Sequence, residues 1–296
     1  MAVTPSAQTF PTIPLTRRAT CLWSLAMLTT GVGAQEELSD LARVRARGTL
    51  KVAVYKNNAP FSDGAADQMV GLDVDLAAAL ARQMQLKLAL LPFDAGENMG
   101  DDLRNMVWKG HYLGYGPADV MLNVPVDKYL AQENRQVVIF APYMRQVPVL
   151  LHRLDRLPDV QSPKDLLGHP LAAERGTGAA GVLMGQDNRA LSGQVKLYDS
   201  GVAAAQAVLD GTAHAAYVLR SQAEAALAQR KAGMADFRLT PLQLPGLPAN
   251  GWPIGLAVKT SNKALGEALK EAMQALRDSG ELLAIFQRHD MTLTAP

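Results

Sequence analysis

The stretch Leu50-Lys51-Val52-Ala53-Val54-Tyr55, then Lys56-Asn57-Asn58-Ala59-Pro60-Phe61, then Val70-Gly71-Leu72-Asp73-Val74-Asp75-Leu76, decides the fold of this 296-residue chain. Leu50 to Tyr55 is β-prone and apolar, the composition of a buried strand. Proline blocks ladder pairing and asparagine favours turns, so Lys56 to Pro60 reads as a loop at the strand's carboxyl end. Leu72, Leu76, Leu80 and Met84 recur every four residues and therefore share one helix face, with Asp73 and Asp75 at the positive amino end.

Outward from this unit the alternation of β-prone and helical runs continues, the pattern of a mostly parallel sheet flanked by helices. Leu86 to Leu91 and Asp119 to Leu122 read as strands, with a helix at Leu103 to Trp108 between them. A turn and a new extended run are expected over Pro142 to Val149. A second α/β series follows at Leu171 to Ala173, Gly178 to Met184, Val202 to Leu209, Ala215 to Leu219 and Ser221 to Lys231. Pro241 to Pro253 holds Pro241, Pro245, Gly246, Pro248, Gly251 and Pro253, too many breakers for a helix or a central strand, so it reads as a crossover or cleft-edge loop. Ile254 to Val258 is strand-like. The last helix is expected to open on Ser261 as N-cap and to stop at Gly280, with Leu265, Leu269, Met273 and Leu276 facing inward.

Arg17 and Arg18 precede the apolar run Cys21 to Met27, and Val32-Gly33-Ala34 supplies small residues at a cleavage point, so residues 1–34 read as an export signal. The run is much shorter than the roughly 20 residues a membrane-spanning helix needs. Removing 34 of the 296 residues leaves 262, enough for two lobes, and takes away Cys21, the only cysteine. A disulfide, a thiolate metal site and a cysteine nucleophile are thereby excluded. Of 29 basic residues Arg17 and Arg18 go with the signal, leaving 27 against 28 acidic ones, a net charge of −1. That balance argues against nucleic-acid binding, which relies on a basic face.

Four ordered features between Leu50 and His289 resemble the periplasmic amino-acid-binding proteins of ABC transporters, the family 3 solute-binding proteins. The first is the opening stretch quoted above. The second is Ala118-Asp119-Val120-Met121 with Asn134-Arg135 and Phe140-Ala141-Pro142-Tyr143. The third is Asp165-Leu166-Leu167-Gly168 with Arg175-Gly176-Thr177, and the fourth is Gly251 to Val258 with two closing helices. The resemblance implies the type II periplasmic-binding-protein fold, an α/β architecture of two lobes, each a mostly parallel sheet flanked by helices, joined by two crossovers. The implied division is a signal at 1–34, lobe 1 at 35–145, lobe 2 at 146–250 and a return to lobe 1 at 251–296. A periplasmic location, a monomer, a membrane permease as partner and no cofactor go with it.

Ligands of such folds lie between the lobes, where strand ends and helix amino termini converge. The residues expected there are Tyr55, Asn57, Asn58, Asn123, Arg135, Thr177 and Leu219. Thr177, before an alanine-rich helix, suits either an anion cradle or an ordinary N-cap. Arg135 suits a bidentate grip on a carboxylate, or a solvated position like that of most arginines. The acidic residue that amino-acid binders use for the ligand's ammonium is expected where this chain has Leu219, beside Arg220, and Leu122 to Val126 and Asn58 stand where the family has a serine-rich site and a loop aromatic. These departures from the resemblance point to a small anionic ligand and not a standard amino acid.

Asn57-Asn58-Ala59-Pro60-Phe61-Ser62 and Asp119-Val120-Met121-Leu122-Asn123-Val124-Pro125 also resemble a subgroup associated with quinoprotein methanol and alcohol dehydrogenases. That likeness implies the alternative role of a periplasmic accessory to a dehydrogenase or its cytochrome. The loop Trp108 to Pro117, with His111, Tyr112 and Tyr115 among glycines, suits either a partner-facing surface or rings packed over the sheet edge. His111 has no second ligand near it in sequence, and no metal site is expected. Glu174, Asp127 and His111 form no acid and base pair that spacing can place, and no nucleophile motif appears, so catalysis is not expected.

Overall fold

The structure is a computed structural model that describes residues 39–231 and 233–296. The expected export signal, including Arg17, Arg18 and Cys21, lies outside the described residues. From α1 (Asp40–Arg47) the chain passes through β1 (Thr49–Tyr55), α2 (Leu72–Gln83), β2 (Lys87–Phe93), α3 (Met99–Leu103), β3 (Val120–Pro125), α4 (Lys128–Glu133) and β4 (Val137–Gln146). A second series follows: β5 (Pro148–Arg153), β6 (Leu171–Glu174), α5 (Gly178–Arg189), β7 (Val195–Tyr198), α6 (Gly201–Leu209), β8 (Ala215–Leu219), α7 (Arg220–Arg230) and β9 (Phe237–Thr240). The chain then returns through β10 (Trp252–Lys259), α8 (Lys263–Asp278) and α9 (Glu281–Arg288).

Two five-stranded sheets result, ordered β2-β1-β3-β10-β4 and β7-β6-β8-β5-β9. In the first, β1 is parallel to β2 and β3, while β10 is antiparallel to β3 and β4. In the second, β6 is parallel to β7 and β8, while β5 is antiparallel to β8 and β9. Each sheet therefore has four strands in one direction and a single reversed strand, second from one edge. The reversed strands, β5 and β10, are the ones that follow the two crossovers. Together with flanking helices this is the two-lobed α/β fold that the four ordered features imply.

Strand alternation gives each sheet two apolar faces. On β1, Leu50, Val52 and Val54 pack with Leu72, Leu76 and Leu80 of α2, whereas Ala53 joins Phe93, Met106 and Met121 on the opposite face. On β5, Val149 and Leu151 face α6 and α7, and Leu150 faces Leu183 of α5. The four-residue repeat in α2 is the covering stripe expected of it, with all three leucines fully buried.

Two local expectations fail. β4 runs through Pro142 to Gln146, so the turn expected there is only the single residue Val147 between β4 and β5. Proline is accommodated because β4 is an edge strand with a bulge, marked by Ala141 at φ 48° and a register shift between Ile254 and Leu256 opposite. The N-cap of α8 is Asn262, not Ser261.

The two crossovers lie against each other. Trp252 pairs with Gln146 in register, and Arg145 Nη1 reaches the Asn250 carbonyl at 3.4 Å. Gly251 makes this approach possible: at φ +65°, a Cβ there would sit 1.8 Å from the Gln146 carbonyl oxygen. G251A is expected to lower stability by about 3 kcal/mol, from backbone strain plus overpacking. Chemical denaturation with tryptophan fluorescence measures it, and an unchanged midpoint contradicts the close packing of the crossovers.

Candidate functional site

A cavity of about 700 Å³ opens where the carboxyl ends of β1, β3, β6 and β8 meet. Chain ends of parallel strands expose unpaired backbone groups and loops, and this is where open α/β sheets bind ligands. From lobe 1 come Tyr55 to Asn58, Asn123, Pro125, Asp127 and Gln146. From lobe 2 come Glu174, Thr177 to Ala179, Tyr217 to Leu219 and Gln222, with Leu247 and Pro248 from the second crossover and Trp252 from the start of β10. Six residues expected from sequence, Tyr55, Asn57, Asn58, Asn123, Thr177 and Leu219, are thus brought together. Arg135 is not among them: it is exposed between α4 and β4, where its carbonyl accepts the Thr260 hydroxyl at 2.9 Å.

Several of these side chains are already committed. The Tyr55 hydroxyl donates to Asp102 Oδ2 at 2.7 Å, and Gly96 N donates to Asp102 Oδ1 at 2.7 Å. Burial beside that carboxylate raises the Tyr55 hydroxyl pKa, so Tyr55 presents a neutral ring, tilted on Phe93 at 4.5 Å. Thr177 Oγ1 accepts from Ala180 N at 3.2 Å and donates to the Glu174 carbonyl at 2.9 Å, the bonding of an N-cap. Asp127 caps α4, accepting from Tyr129 N and Leu130 N at 2.8 and 2.9 Å.

The feature the sequence reading missed as a binding group is Glu174. Leu219 leaves the expected position without a carboxylate, but β6 lies beside β8, and its last residue brings Glu174 into the same cavity from one strand away. Glu174 is half-buried, and Gln222 Nε2 donates to its Oε2 at 2.8 Å. Gly201 N donates to it as well, and its carboxyl pKa is raised by desolvation. Gly201 also makes room for that amide, since a Cβ there would fall 2.0 Å from Gln222 Oε1. A charged residue closing the apolar run Leu171-Ala172-Ala173 was the available signal.

The lining side chains that carry a charge at neutral pH are therefore two acids, Asp127 and Glu174, and one base, Lys56, whose Nζ lies 3.1 Å from Asp94 Oδ2. This balance does not favour the anionic ligand expected from sequence, because an added anion would face two carboxylates near a lysine that is already paired. Arg220, adjacent to Leu219, turns to Glu224 at 3.6 Å.

Behind the lobe 1 wall lies Asp73, 1% exposed, accepting from Asn123 Nδ2 and the Tyr143 hydroxyl, each at 2.8 Å. Desolvation outweighs both bonds and pushes its pKa up to about 6. Among the described residues no cluster of three or more His, Cys, Asp or Glu side chains has metal-holding geometry. None of the described helices is long and apolar enough to cross a membrane.

No protein-family model matches the chain. Among solved structures it is similar to an amino acid ABC transporter substrate-binding protein from Streptococcus pneumoniae bound to L-arginine. The TM-score is 0.61 at 20% identity, covering 86% of this chain and 100% of that one. It is also similar to an ancestral amino-acid-binding protein described as a precursor of cyclohexadienyl dehydratase, with TM-score 0.58, 20% identity and coverage of 84% and 99%. A histidine kinase sensor domain with similarity to periplasmic binding proteins matches with TM-score 0.57 at 18% identity, covering 84% and 98%. These likenesses establish the fold. They span binding, sensing and an enzyme's ancestor, so function has to be argued from the site.

A carboxylate whose folded pKa is raised binds protons that the unfolded chain has released, so its contribution to stability falls as pH rises through that window. For Asp73 the window runs from about 4, the ordinary carboxylate value, to about 6. The stability difference between wild type and D73N is expected to decline across it and to stay level above. Urea melts at half-unit pH steps measure this, and a difference that does not change with pH contradicts a raised pKa at Asp73.

Proposed function

We propose that this chain is a periplasmic solute-binding protein of an uptake system, which holds a small molecule bearing an amine between its lobes for delivery to a membrane permease. The observation that carries this is Glu174, a half-buried carboxylate in the cavity, bonded to the neutral donors Gln222 and Gly201. A buried carboxylate served only by neutral donors gains most from a cation, and a ligand ammonium supplies one. The Tyr55 ring, Met99, Leu247, Pro248 and Trp252 give the cavity apolar walls for the ligand's body. The case against a standard amino acid rested on Leu219 and Arg220 in lobe 2, and on Asn58 and Leu122 to Val126 in lobe 1; Glu174 answers the first of these. Because Glu174 stands one strand away, cationic and zwitterionic amino acids belong to the class tested. The reading includes no reaction.

A thermal-shift screen with matched amines, carboxylates and amino acids tests it, since a native-state ligand raises Tm. Compounds with an amine are expected to raise Tm and the matched carboxylates without one are not. E174Q is expected to weaken the responding compounds about tenfold or more, the worth of a charge-assisted bond. Responses confined to carboxylates, or undiminished in E174Q, overturn the assignment.

A second reading, the accessory to a quinoprotein dehydrogenase or its cytochrome, is favoured by one observation. At the tip of the loop between α3 and β3, Tyr112 is 88% and Leu113 68% exposed, while His111 stacks on Tyr115 with ring centroids 4.3 Å apart. Exposed aromatic and aliphatic side chains held on a stacked base suit a protein partner. Deletion of residues 111–116 is expected on this reading to abolish binding of a purified quinoprotein dehydrogenase or its cytochrome while leaving ligand-induced Tm shifts intact. Unchanged partner affinity after the deletion removes the loop from the account.

A further inference from the structure

Three residues of the cavity wall belong to a hydrogen-bond chain that runs away from the cavity. Trp252 Nε1 donates to Gln146 Oε1 at 3.0 Å, Gln146 Nε2 donates to Asn123 Oδ1 at 3.4 Å, and Asn123 Nδ2 donates to Asp73 Oδ2 at 2.8 Å. All links point one way, from an indole that can only donate to a carboxylate that only accepts. The two ends therefore dictate how both intervening amides are turned. Gln146 closes β4 and Trp252 opens β10, so the chain also spans the two crossovers.

We propose that Asp73 is a positioning residue for the cavity: as the terminal acceptor of this relay, its negative charge fixes the donor and acceptor pattern that Asn123, Gln146 and Trp252 present, and loss of that charge releases it. The consequence for binding rests on the ligand reading above. The relay itself does not.

Protonating Asp73 turns one of its oxygens into a donor facing a donor. If the new hydroxyl faces Asn123, that amide must turn over and set its NH₂ against Gln146 Nε2. Gln146 must then turn its own NH₂ toward the Trp252 N–H, which cannot accept, so the chain breaks. If it faces Tyr143 instead, the fully buried phenol loses the acceptor of its own proton. In both cases the charge-assisted bond that anchors Asn123 is gone.

The groups that face Asp73 are Asn123 from β3 and Tyr143 from β4. Next along α2, Asp75 carries Arg288 at 3.2 Å and His289 at 3.0 Å, and Arg277 of α8 donates to the Pro142 carbonyl. Glu174 shares the cavity with Trp252. Protonation at His289, Glu174 or Asp127 is what a signal at Trp252 has to be distinguished from.

Trp252 reports the relay without any ligand. In the full chain with Trp23 and Trp108 replaced by Phe, its emission is expected to shift with a midpoint near pH 6. D73N is expected to abolish the transition. Q146M, which leaves Asp73 and its two donors in place, is expected to abolish it as well, and so tests the relay even if D73N fails to fold. H289Q and E174Q are expected to retain it. A flat wild-type profile, a transition that survives in folded D73N or Q146M, or one lost in H289Q or E174Q overturns the proposal. A ligand screen without responders would overturn the ligand reading and leave this measurement intact.

Discussion

A carboxylate taken out of water needs donors, and the arrangement of lobe 1 follows from how Asp73 obtains them. It sits in the first turn of α2, where the helix dipole favours negative charge, and accepts from Asn123 on β3 and Tyr143 on β4. Those strands are not neighbours, because β10 lies between them. One buried side chain thus ties the helix to strands on both sides of the returning segment. Asn123 takes a left-handed conformation, φ 61°, next to the cavity. A polar group at the core of lobe 1 and a polar group on the cavity wall are consequently one connected unit.

The same economy governs the crossovers. Because β5 and β10 are the reversed strands of their sheets, the chain leaves each lobe and enters the other at one place, beside Gln146 and Gly251. The parallel strands β1, β3, β6 and β8 then all point their carboxyl ends at that junction. The cavity is a consequence of strand direction, and its lining is whatever follows those four strands in sequence.

The charge of the cavity depends on which strand carries the acid. Leu219 ends β8, and Glu174 ends β6 beside it. Gly201, at the start of α6, leaves the space in which the Gln222 amide holds that carboxylate. Lys56 is paired with Asp94, and Arg220 with Glu224, so nearby basic side chains do not cancel Glu174. A site read position by position loses its acid at Leu219, whereas the same site in space has one.

By itself the sequence determined the local structure. Period-four leucines made α2, the apolar run at Leu50 made a strand buried on both faces, and the proline and glycine cluster from Pro241 kept the second crossover irregular, because these are properties of neighbouring residues. It also named six of the residues that line the cavity, since strand ends and the loops after them are visible in sequence. The tertiary structure decided three other things. The strand through Pro142 became possible only because β4 is an edge strand. Arg135 was left on the surface, and Glu174 was placed in the cavity by a pairing between strands some 40 residues apart in sequence. The meaning of Asp73 also waited for the fold: read along the chain it is one acid at a helix start, and only packing shows it closed off from water by Asn123 and Tyr143. Such facts depend on side chains meeting across long sequence separations, which no local pattern encodes.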